Sequence, residues 1–72
     1  MIPSLLQELE EGKFTHKTGT DGLVTFDLYR TRSNWFIEVH NGLFKYVFVN
    51  GKKVSGHFGR KIRKTIKRWS NG

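Results

Sequence analysis

The sequence contains no cysteine, so neither a disulfide framework nor a thiolate zinc site can supplement its core. It has one proline, at position 3, and no Pro-rich linker, repeat or low-complexity tract, which leaves nothing to divide its 72 residues into separate units. No stretch approaches the roughly 18–20 apolar residues of a membrane span. The opening Met1-Ile2-Pro3-Ser4 lacks the charged head and apolar run of a signal peptide. These absences predict a cytoplasmic protein of one domain over residues 1–72. A chain of this length buries only about 60% of its unfolded surface, too little for a two-domain enzyme. Acid is also missing from one half. Residues 41–72 hold nine Lys and Arg and no Asp or Glu, whereas residues 1–40 hold four basic against six acidic side chains.

The resulting net charge of +7 points to an acidic partner, and its polarisation suggests either a binding face or an internal pairing of the two halves. Aromatic side chains, at 14% of the chain, supply the means to build a core from few residues.

The run Ser4-Leu5-Leu6-Gln7 fits a capping box and predicts a short helix with Leu5, Leu6 and Leu9 as its apolar stripe, Glu8, Glu10 and Glu11 exposed, and Gly12 as its stop. Thr15 to Gly22, with Gly19, Asp21 and Gly22, reads as a loop. From Leu23 to Arg30 the period becomes two, and strands are predicted there, at Trp35–His40 and at Leu43–Val49, with a short fourth at Lys52–Ser55. Asn41-Gly42 and Asn50-Gly51 are hairpin turns by composition. A two-residue loop at Asn41-Gly42 pairs Glu38 with Lys45 and Phe36 with Val47, while a turn at Arg32-Ser33 pairs Leu28 with Ile37 and Phe26 with Val39.

These registers collect Val24, Phe26, Leu28, Trp35, Ile37, Val39, Phe44, Tyr46 and Phe48 on one face, the predicted core. His57–Trp69 has Phe58, Ile62, Ile66 and Trp69 on one helical stripe and cations on the other side. The fold class expected is α+β, in the order α-β-β-β-(β)-α: an antiparallel meander of three or four strands with both helices packed on one face.

Two surfaces are candidates for function. Arg60, Lys61, Arg63, Lys64, Lys67 and Arg68 form a basic helix face that can follow a phosphate backbone and release counterions. Lys52 and Lys53 precede it in a Gly-rich turn where Ser55 can cap the helix, and Arg30 and Arg32 with Ser33 and Asn34 make a basic hairpin tip. The bland counterpart is a solvated helix face, or one drawn to the acids of the first helix. The second surface is the row Tyr29, Phe36, Val47 and Val54 on the sheet face opposite the predicted core, less polar than a free face needs to be. It reads as an interface with a protein partner or a second copy, ahead of a platform for unpaired bases.

Neither a metal nor a cofactor is expected. His16, His40 and His57 are scattered, and no zinc-binding spacing occurs. A metal-free RNase using His40 or His57 with a Lys is the enzymatic alternative, and the main expectation is not an enzyme. The reading is thus a small basic module that binds nucleic acid, RNA or DNA, through its backbone. A regulatory or inhibitor protein that binds another protein, of phage or mobile-element type, is the alternative.

In element order the chain resembles double-stranded RNA-binding domains, whose αβββα arrangement has similar length and whose phosphate contacts come from the first helix, the first hairpin loop and a Lys-rich second-helix start. Under that resemblance Arg32, Ser33 and Asn34 match the loop, and Arg60, Lys61 and Lys64 the helix start, while Glu8, Glu10 and Glu11 depart from the usual first-helix surface. Three-stranded DNA readers of the integrase arm-binding kind are similar in outline.

Overall fold

Each strand pairs with the next one along the chain. The computed structural model describes residues 2–70, with the side chains of 4–69. Its elements run α1 (Ile2–Glu10), β1 (Thr15–Asp21), β2 (Val24–Arg30), β3 (Trp35–Asn41), β4 (Phe44–Val49), β5 (Lys52–Lys53) and α2 (Gly56–Ser70). The five strands form one antiparallel sheet in the order β1-β2-β3-β4-β5. This is the expected α+β meander with one strand more. The addition is β1, the segment that reads as a loop: it has no large apolar side chain and therefore no period-two signal. Pairing with β2 from Thr15↔Arg30 to Asp21↔Val24 makes it a strand. Gly19 sits opposite Phe26, whose ring covers the bare backbone so closely that a Cβ there would lie 2.2 Å from Cζ.

The turns explain the registers. Asn50 and Gly51 both have positive φ, 52° and 87°, as a two-residue type I′ hairpin loop requires. The β3–β4 loop is instead Gly42-Leu43, with Asn41 paired to Phe44 and only Gly42 in the left-handed region, the II′ pattern. His40 therefore faces Lys45 and Glu38 faces Val47, two residues away from the expected pairing. A shift of two leaves every side chain on its own face. The β2–β3 register, with Leu28↔Ile37 and Phe26↔Val39, is the one expected.

The covered face is the other one. Leu5 and Leu9 of α1 and Ile62 and Ile66 of α2 pack with Phe36, Val47 and Val49, and Leu6, Phe14, Tyr29, Val54 and Phe58 adjoin them. The row Tyr29, Phe36, Val47 and Val54 is thus core, with Phe36 fully buried. The nine-residue aromatic face is left without an element over it among the described residues. Alternation shows that both faces are apolar but does not choose between them. Close approach and polar anchoring choose: Gly59 of α2 is pressed against Val47, where a Cβ would lie 3.2 Å from a methyl, and Glu8 reaches the β2–β3 loop. Burying a side chain such as Phe36 or Ile62 stabilises the fold by about 1.5–3 kcal/mol.

Two details of α1 differ from expectation for the same reason. The helix starts at Ile2, so Ser4 is not its cap; its hydroxyl accepts from the Asn34 side-chain amide at 3.1 Å. Glu8 is buried rather than exposed. Gly12 ends the helix as expected, at φ +74° with its N–H donating to the Leu9 carbonyl, and the indole of Trp69 lies against it.

Candidate nucleic-acid interface

The residues of α2 sort by depth. Ser55 caps it: the Phe58 N–H donates to its hydroxyl at 3.1 Å and the Gly59 N–H to its carbonyl at 2.9 Å. Ile62, Thr65 and Ile66 are buried, and the Thr65 hydroxyl donates back to the Lys61 carbonyl. Most of the exposed positions carry charge. Arg60, Lys61, Lys64, Lys67 and Arg68 are exposed, and none of the five pairs with a carboxylate among the described residues. The acids of α1 therefore do not neutralise this face.

Arg63 behaves differently. Its Nε lies 2.8 Å from Glu38 Oε2, a buried oxygen, in a contact of opposite charges whose angles fall short of a hydrogen bond. Glu38 also meets His40 Nε2 at 3.1 Å, and Asp27 on the neighbouring strand meets His16 Nε2 at 2.9 Å. Asp27, Glu38 and His40 bring ligand-type atoms within 4.8 Å of one another, and the Arg63 guanidinium faces the group from α2. Beside it Tyr29 stacks on His16, with ring centroids 4.2 Å apart. Burial, then the charges of Asp27 and Glu38, push the Tyr29 hydroxyl above its ordinary pKa.

The start of α2 concentrates positive charge. No acidic side chain stands in its first turn, and a recess of about 290 Å³ there is lined by Lys45, Lys53, Arg60 and Arg63 together with the backbone at Gly56. A second recess of about 280 Å³ lies between His57, Arg60, Lys61 and Lys64. Fixed cations next to the amide end of a helix suit a phosphate. Lys45 is the contributor that sequence reading passes over, because it falls in a strand and away from the other charges in the chain; it meets Lys53 only as a wall of the same recess.

The other predicted contacts lie apart from this cluster. Arg30 is exposed on the uncovered sheet face, and Lys52 is exposed in β5. Lys53 Nζ stands 5.3 Å over the Tyr46 ring. Arg32 is 85% exposed and 3.8 Å from Glu8. Its neighbours are not free: Ser33 donates to Glu8 at 3.0 Å, and Asn34 is buried between Glu8 and Asn50. The hairpin tip is therefore largely a clasp on α1. The row expected as a protein interface, Tyr29, Phe36, Val47 and Val54, is unavailable to a partner because the helices cover it.

No helix among the described residues is long and apolar enough to cross a membrane. No protein-family model matches the chain, and neither the curated proteins nor the solved structures yield a match.

Proposed function

We propose that the chain is a nucleic-acid-binding module that contacts the phosphate backbone through the exposed face of α2. The observation that carries this reading is the set of five unpaired cations, Arg60, Lys61, Lys64, Lys67 and Arg68, on a helix without acid. Lys45 and Lys53 extend the positive surface around the helix start, with Arg63 beside them held by Glu38, while Lys52, Arg30 and Arg32 are peripheral. The activity is binding without chemistry on the strand, and the compartment it implies is the cytoplasm.

The test is anisotropy of labelled duplex RNA, duplex DNA and single-stranded RNA over several salt concentrations. Saturable binding that weakens steeply with salt is expected. In Arg60→Ala/Lys64→Ala/Lys67→Ala affinity falls for all sequences alike, and the slope of log K against log salt for a duplex drops by about 0.9 for each phosphate no longer neutralised. An unchanged slope, or no binding at low salt, overturns the reading in favour of a protein partner.

A further inference from the structure

The uncovered sheet face is too apolar to be an ordinary solvent surface. Nine apolar side chains lie on it in cross-strand rows, with Ile37 and Val39 of the central strand in the middle, and Phe44 is 65% exposed. Seven-residue strands, four or five abreast, give it a projected area of roughly 24 by 20 Å. With side-chain relief this is of the order of the ~800 Å² that each partner buries in a standard interface.

We infer that this face is covered by a second copy of the chain, packed sheet against sheet with a two-fold axis that lies midway between the two sheets, parallel to them, and runs across the strands. The charges on the face select that axis. Register places Lys17 on β1 and Lys53 on β5 in the same row, through Leu28, Ile37 and Phe48. A two-fold axis along the strands would set Lys17 of one copy over Lys53 of the other, like charge on like.

An axis across the strands exchanges the two ends of the sheet instead. Arg30 and Trp35 share the row at one end, and Asp21, Val24, Asn41 and Phe44 share the row at the other. The exchange lays Trp35 on Asn41 of the second copy, a partner for the indole N–H, and Arg30 on its Val24, one strand spacing from Asp21 and within reach of that carboxylate. It also brings the projecting Phe44 to the end that carries an apolar recess of about 290 Å³, lined by Leu28, Arg30, Trp35 and Ile37. Sheets in such sandwiches pack about 10 Å apart with strands within about 30° of alignment. Four of the nine side chains, Val24, Leu28, Ile37 and Val39, are aliphatic. They suit a dry sheet interface better than the stacking of bases, which uses rings.

Light scattering on the eluted protein, with circular dichroism to check the fold, tests this. The wild type is expected at twice its 8.4 kDa mass. Ile37→Lys, at the centre of the face, is expected at the monomer mass with native dichroism. Arg30→Asp and Asp21→Arg should each weaken the dimer at least tenfold, and the double swap should recover most of that loss, which apolar association alone would not do. A wild type that stays monomeric at 100 µM (about that concentration suffices for a standard interface) overturns the inference. So does a folded Ile37→Lys variant that remains dimeric. A monomeric wild type whose single-stranded RNA affinity is lost in Ile37→Lys, while the α2 salt slope on duplex is retained, assigns the face to unpaired bases instead.

Discussion

The carboxylate of Glu8 in α1 accepts a hydrogen bond from the side-chain amide of Asn34, 26 residues further along the chain, at 3.0 Å. Thr31 and Ser33 donate to the same carboxylate. These hydrogen bonds, that of Thr31 foremost, hold the Glu8 pKa at about 2 against an ordinary 4.5, in spite of burial. A carboxyl whose folded pKa is depressed contributes stability above its unfolded pKa and loses it as pH falls toward the folded value. Urea unfolding of the wild type should therefore show stability dropping between about pH 4.5 and 2. Glu8→Gln should be less stable than wild type at pH 6 and should lose less of what remains over that interval.

Gly12 carries a second dependence. Its φ of +74° is unfavourable for a side chain, and a Cβ would approach the Trp69 indole to 2.9 Å. Gly12→Ala should cost about 1–3 kcal/mol, measured by chemical denaturation. Combining it with Trp69→Leu should recover the crowding part and leave the backbone part, so the double-mutant cycle should show coupling.

Burial of the Phe36 row beneath the helices can be tested by truncation, with an exposed turn residue as the control. Phe36→Ala removes a fully buried ring and should destabilise by about 3–5 kcal/mol. Leu23→Ser, at a 91% exposed turn position, should change stability by no more than about 0.5 kcal/mol. Equal, small effects at both would mean that the helices do not cover this row.

Asn50 combines a conformational and a bonding role. At φ 52° its Oδ1 accepts from the Trp35 N–H and its Nδ2 donates to Asn34 Oδ1, both at 2.9 Å. Asn50→Gly keeps the turn and loses the bonds, at about 1 kcal/mol. Asn50→Ala adds the left-handed backbone penalty and should cost about 2 kcal/mol or more. Thermal melts of the two variants side by side separate the terms.

The meander, both helix stripes, the Ser55 cap and the basic side of α2 are legible in the sequence because each is a local pattern. Glu8 is not, because its burial depends on a loop that neighbouring residues do not reveal. The β3–β4 register differs by two from expectation because Asn41 joins the strand as the partner of Phe44, leaving Gly42 alone to take positive φ. The choice of covered face is hidden on the same ground as the role of Lys45. Both follow from how elements pack, and a sheet with two apolar faces has no sequence signal that marks the one its helices will take.

The contact between Gly12 and Trp69 also bears on the order in which the molecule is assembled. The sheet grows by hairpins between neighbours in the chain, which close over short loops and therefore early. The helices meet across nearly the whole described chain, so the contact of Gly12 with the last turn of α2 spans a long loop and closes late. Until α2 docks, a folding chain therefore carries a sheet that is open on one face and only partly covered on the other. The interval is the one in which this fold is most exposed to aggregation.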